Sequence, residues 1–155
     1  MTMTENSESD SPIRILLIED NEANQRLMSD YLDYCGYEVF ALADGTQLAA
    51  TLEQFRPQMI LLDLKLPILD GYTLLEQLQQ RDDWKQIPTI VVSAYAFQRD
   101  QQRALDLGAR RYLVKPIRLS QLADVIREEL GDSPDWIEPW QCWGEPESGV
   151  FSNSS

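Results

Sequence analysis

Apolar positions along this chain fall into five short runs, each followed by a stretch of helical period. The first run, 13–18, stops at Glu19-Asp20. From Asn21 the spacing changes to about 3.6 residues. Ala23, Leu27, Met28, Tyr31, Leu32 and Cys35 share one face, and Gly36 stands where a helix C-cap favours a left-handed residue. Residues 37–42 read as a second strand. Asp44-Gly45-Thr46 then turns the chain into a helix striped by Leu48, Ala49, Leu52 and Phe55, which Pro57 closes. The third run, 59–62, is apolar at every position and bounded by Pro57 and Pro67. It is too short for a helix and too apolar for a half-exposed strand, so it predicts a strand covered on both faces with Asp63 at its carboxyl end.

A loop over 64–71 leads to a helix over 72–81 with Leu74, Leu75 and Leu78 inward. The fourth strand is predicted over 87–92, ended by Ser93, and a helix over 97–107 is capped by Gly108. A fifth strand, 112–114, ends at Lys115-Pro116. The last helix, 120–130, buries Leu122, Val125, Ile126 and Leu130, with Gly131 beyond. Strands alternating with helices imply parallel pairing and right-handed crossovers. The expected fold is α/β: a flavodoxin-like, doubly wound parallel sheet of five βα units in strand order 2-1-3-4-5. Open sheets of this kind place their chemistry at the carboxyl ends of the strands.

Outside the alternating part, residues 1–12 are polar and read as a disordered acidic leader. Residues 132–155 carry Trp136, Trp140 and Trp143 among Pro, Gly, Ser and acids, with no period. They are expected to be a tail and not a domain. Its tryptophans either lie back on the domain or form a docking segment for a partner. The domain itself is expected over 13–131.

The 155 residues, 43% hydrophobic, suffice for one core. The net charge of -13 lies partly in the ends: 1–12 carry three acids and 131–155 five, neither with a base, and the part between carries 18 acids against 13 bases. This balance opposes nonspecific nucleic-acid binding. Two cysteines, Cys35 and Cys142, give neither a disulfide framework nor metal spacing, and there is no apolar run of membrane length or secretory leader. A cytoplasmic protein with no membrane or nucleic-acid partner is expected. The chain has no histidine. That excludes a Ser-His-Asp or Cys-His centre, a His-ligated zinc and a phosphohistidine of its own.

Glu19 and Asp20 follow the first strand, Asp63 the third, Ser93 the fourth and Lys115 the fifth. Each alone has an ordinary explanation as a helix cap, a turn residue or a solvated charge. Together they place three acids, a hydroxyl and an ammonium on one edge. Carboxylates crowded there repel, and a hard divalent cation such as Mg²⁺, which takes oxygen ligands and keeps sites for substrate phosphate, resolves the repulsion. Asp63 is the acid best placed to act as a nucleophile toward phosphorus, with Lys115 and Ser93 stabilising the phosphoryl oxygens. Pro116 after Lys115 invites a cis peptide bond.

The segments LLIEDN, ILLDLKLPILDGYTLL, IVVSA and GARRYLVKP, in order and correctly spaced, resemble a response-regulator receiver domain of the CheY-like family over about residues 13–131. The resemblance implies Glu19 and Asp20 as the acidic metal-binding pair and Asp63 as phosphoacceptor and metal ligand. It implies that the Lys65 backbone carbonyl completes the Mg²⁺ shell. Ser93 and Lys115 become the phosphoryl contacts, Ser93 and Tyr112 the switch pair, and Pro116 the cis-proline. It further implies that phosphorylation is read on a face made of the fourth helix, fifth strand and fifth helix. Lys65 and Tyr95, two residues after Asp63 and Ser93, are large and are expected to hinder hydrolysis. The donor would be a sensor histidine kinase or a histidine phosphotransfer protein, the target a protein, with a phosphorylation-dependent homodimer as a further form.

Such a protein is a signalling phosphoacceptor that catalyses only its own phosphorylation and dephosphorylation. Two other classes compete. A phosphatase of the haloacid dehalogenase type needs a second acid two residues after the nucleophile, where this chain has Lys65. A pseudo-receiver would bind partners without phosphorylation, and the complete set of acids, hydroxyl and lysine argues against it. With about 24 residues after the last helix, none basic, a stand-alone receiver is expected.

Overall fold

The computed structural model describes residues 11–130; the leader up to Asp10, Gly131 and the tryptophan-bearing tail lie outside the described residues. Strands β1 (Arg14–Ile18), β2 (Glu38–Leu42), β3 (Met59–Leu62), β4 (Thr89–Ser93) and β5 (Arg111–Val114) form one parallel sheet in the order β2-β1-β3-β4-β5. This is the flavodoxin-like order expected from the alternating pattern. Helices α1 (Glu22–Tyr34), α2 (Leu48–Phe55), α3 (Gly71–Leu78), α4 (Gln98–Asp106) and α5 (Leu119–Leu130) connect or follow the strands, and a single helical turn, Asp82–Lys85, precedes β4. Among the described residues no helix is long and apolar enough to cross a membrane.

The pleat sends alternate residues to opposite faces, which separates two apolar layers. Ile15, Leu17, Met59, Leu61, Ile90 and Val92 meet α1 and α5 through Met28, Leu32, Leu122 and Ile126. Leu16, Ile18, Ile60, Leu62 and Val91 meet α2, α3 and α4 through Leu48, Leu52, Leu74, Leu75 and Ala104. The four residues of β3 are all buried, as a strand covered on both faces requires.

Helix faces differ from expectation in places. Leu27 is 56% exposed, Ala23 and Ala49 are exposed, and Leu130 is only half-buried. A 3.6-residue stripe read from a sequence is wider than the line of contact with a flat sheet, so its flanks meet solvent. The helix expected over 72–81 ends at Leu78. The next residues, Gln79-Gln80-Arg81, are all exposed and polar, and Trp84 anchors the extra turn beside the second layer.

Candidate active site

Parallel register brings the strand ends level. Ile18 pairs with both Leu42 and Leu62, so Glu19 and Asp63 leave neighbouring strands side by side. The Glu19 amide then donates to the Leu42 carbonyl, and the Asp63 amide to that of Ile18, each at 3.0 Å. Across the sheet Ser93 pairs with Val114, and the Lys115 amide donates to the Ser93 carbonyl at 2.8 Å. Asn21, and not Asp20, caps α1: its side chain accepts from the Asn24 amide. Asp20 therefore keeps its carboxylate for the site.

The structure gathers Glu19, Asp20 and Asp63, one carboxylate oxygen of each lying within 4.8 Å of the others. Glu19 and Asp63 are buried and Asp20 is exposed. Each like-charged pair at that separation costs about 3 to 4 kcal/mol at an effective dielectric constant of about 20. The Lys115 ammonium answers part of that charge, donating to Glu19 Oε1 at 2.8 Å and to Asp63 Oδ2 at 3.0 Å. The Lys115–Pro116 peptide is cis.

Burial pushes the Glu19 carboxyl above its ordinary value, and the Asp63 charge adds to this, against hydrogen bonds from Lys115 and the Asn21 amide. Burial acts to lower the Lys115 ammonium, but its two hydrogen bonds to carboxylates prevail and the net direction is upward. The geometry is that of an ammonium held between two buried acids. Three oxygen donors of this kind, with one open to solvent, fit a hard divalent cation.

Ser93 is fully buried at the end of β4, and its Oγ accepts from the Tyr95 amide at 3.1 Å. Tyr112 is half-buried on β5 with its hydroxyl donating to the Tyr95 carbonyl at 2.7 Å. Burial raises the Tyr112 phenol, and a hydrogen bond with Ser93 opposes that rise. The Lys65 amide donates to Asp63 Oδ1 at 3.2 Å, while its side chain, like that of Tyr95, is exposed.

A family model described as the response regulator receiver domain matches residues 15–127. The chain belongs to this family. As a receiver it is 32% identical over 122 residues to the polar-differentiation response regulator DivK of Brucella anthropi, covering 79% of this chain and 99% of that protein. A crystallised receiver domain of a sensor histidine kinase from Pseudomonas aeruginosa, with magnesium coordinated in its active-site cleft, is 34% identical with a TM-score of 0.72. The match covers 79% of this chain and all of that one. A CheY-like receiver from Methanospirillum hungatei is 31% identical, TM-score 0.71, over 77% of this chain and 94% of that one.

Two features of this receiver's site escape a reading of the strand ends. Gly71, the first residue of α3, lies so close to the site that an added Cβ would stand 2.6 Å from both the Asp63 carbonyl oxygen and the Leu64 Cα. Its amide donates to the Leu64 carbonyl at 2.8 Å. Tyr72, next in the chain, reaches from α3 to α4, where its hydroxyl donates to Asp100 Oδ1 at 3.1 Å. The available signal was chemical: a tyrosine in an apolar stripe needs a partner for its hydroxyl.

Proposed function

We propose that this receiver accepts a phosphoryl group on Asp63 from a phosphohistidine, carried by a sensor histidine kinase or a histidine phosphotransfer protein. It then signals to a protein partner through α4, β5 and α5. The observation that supports this most is the gathering of the Glu19, Asp20 and Asp63 carboxylates beside Lys115. Asp63 sits at the carboxyl end of a fully buried strand, where its carboxylate is held by the Lys65 amide and the Lys115 ammonium. That fixes the attacking oxygen in place before a donor arrives, a contribution of positioning rather than bond chemistry.

The proposed Mg²⁺ ligands are Glu19, Asp20, Asp63 and the Lys65 carbonyl, and the bound ion supplies charge neutralisation at the phosphoryl oxygens. Lys115 and the Ser93 hydroxyl serve as the protein's own contacts to those oxygens. Drawing Ser93 toward the group disturbs the Ser93–Tyr95 and Tyr112–Tyr95 bonds and lets Tyr112 turn inward, which changes the face that partners read. The functional unit spans 13–131 and works in the cytoplasm, with a phosphorylation-dependent homodimer as one form of output. Lys65 and Tyr95, exposed at the rim, slow hydrolysis of the acyl phosphate by crowding the attacking water. Replacing both with alanine should speed dephosphorylation several-fold, measured by loss of the phosphorylated mass; an unchanged rate removes that role.

Intact mass after incubation with acetyl phosphate and Mg²⁺ tests the whole reading. Gain of one phosphoryl group by the wild type and none by Asp63→Asn is expected. No gain in the wild type would favour a pseudo-receiver.

A further inference from the structure

Among the described residues α4 is the least anchored of the five helices. Ala104 is its one buried residue, and Phe97 at its N-cap position makes no capping bond. A polar clamp from α3 holds its first turns. Tyr72 is 6% exposed; its hydroxyl donates to Asp100 Oδ1 at 3.1 Å, and the Arg103 guanidinium lies 3.8 Å from the centre of its ring. Asp100 and Arg103 are three residues apart and so share one face of α4. From β5, the Tyr112 hydroxyl grips the Tyr95 carbonyl, two residues before Phe97. Both tyrosines pack into the same apolar layer.

α4 is therefore held at its N-terminal end by two tyrosines on different elements, and the proposed switch releases only one of them. We propose that Tyr72, acting through Asp100 and Arg103, is a positioning residue that sets how far α4 moves once Tyr112 turns away, and so fixes the coupling between Asp63 and the α4 face. The coupling rests on the reading given under Proposed function; the clamp does not. Burial, joined by the bond to Asp100, pushes the Tyr72 phenol up to about 12, which keeps the hydroxyl a donor at working pH. A cation over an aromatic face and a hydrogen bond to a carboxylate are each strong enough to matter for a helix with one buried side chain.

The test is peptide-resolved amide hydrogen exchange on the full chain, with and without acetyl phosphate and Mg²⁺. Tyr72→Phe removes only the hydroxyl, Asp100→Ala removes the acceptor, and Asp100→Asn keeps an acceptor oxygen. In the resting chain, Tyr72→Phe and Asp100→Ala should speed exchange across α4 roughly three- to tenfold with α1 and α3 unchanged, and Asp100→Asn should retain most of the protection. On phosphorylation the wild type should loosen at α4, and Tyr72→Phe should show a smaller further change because it starts open. Equal α4 exchange in the resting wild type and Tyr72→Phe overturns the proposal, as does loosening of α3 to the same degree. A resting difference with no response to acetyl phosphate in any protein supports the clamp and overturns both the coupling and the phosphoryl reading.

Discussion

α3 and α4 pack on the same face of the sheet and are held in opposite ways. Five of the eight residues of α3 are buried, and Asp70 caps it by accepting from the amide and hydroxyl of Thr73. Its first residue, Gly71, has no room for a Cβ beside the Asp63 carbonyl oxygen. α4 buries one residue of nine and has no side-chain bond at its N-cap. The difference separates two needs of a signalling domain. A phosphoacceptor must be fixed within a fraction of an ångström, and a read-out element must cost little to move. The stiff helix lies against the chemistry and the light one against the proposed switch tyrosine.

The largest effect should come from pressing on the stiff side. Gly71→Ala forces a methyl into backbone atoms that cannot yield, and should cost about 3 kcal/mol in urea unfolding, whereas Leu105→Ala on exposed α4 should cost under about 0.5 kcal/mol. Equal costs would break the contrast. Next comes the lysine between the acids. Lys115→Met leaves two buried carboxylates without their counter-charge and should cost about 2 kcal/mol in metal-free buffer near neutral pH.

The sign with pH follows from Glu19, whose carboxyl already lies above its ordinary value. A group with a raised folded pKa penalises the fold when charged, so the loss in Lys115→Met should shrink as pH falls through that raised value. Saturating Mg²⁺ should likewise restore stability, by about 2.7 kcal/mol at a hundredfold excess over Kd.

Caps give the smaller, opposite pair. Asp70→Ala should destabilise by about 1 kcal/mol, and Phe97→Asp, which adds the missing cap to α4, should stabilise by about 0.5 kcal/mol and slow exchange there. The last effect is confined to alkaline pH. Tyr72 at about 12 contributes stability that is complete below the ordinary phenol pKa and lost as pH rises toward 12; Tyr72→Phe should show a smaller alkaline loss, keeping only the part that belongs to groups such as Tyr112.

Strand ends were legible because they depend on short-range signals, and strand order followed from the βα alternation, for which the doubly wound 2-1-3-4-5 sheet is the expected arrangement. Apolar runs such as Met59–Leu62 and Ile90–Val92 stop abruptly at Asp63 and Ser93, and parallel register carries those residues to one edge. The carboxylate cluster followed from the same signals together with charge. Less legible was which flank of a helix stripe meets the sheet: Leu27 and Met28 are adjacent and equally apolar, yet only Met28 is buried. The rotation of a helix on its sheet is settled by all its contacts at once. The Tyr72–Asp100 bond joins residues 28 apart, and the Tyr112–Tyr95 bond joins residues 17 apart. Neither pairing leaves a local pattern, so only the folded arrangement reveals that the start of α4 is held from both α3 and β5.

The most direct test of a stiff site beside a light read-out is an amide-resolved NMR comparison of the full chain before and after addition of excess acetyl phosphate with Mg²⁺. The expected result is shifts at residues adjoining Asp63 that extend through Tyr95, Tyr112 and the whole of α4, while the body of α3 beyond its first turn stays in place. Shifts confined to the neighbours of Asp63, or as large in the body of α3 as in α4, would contradict the account.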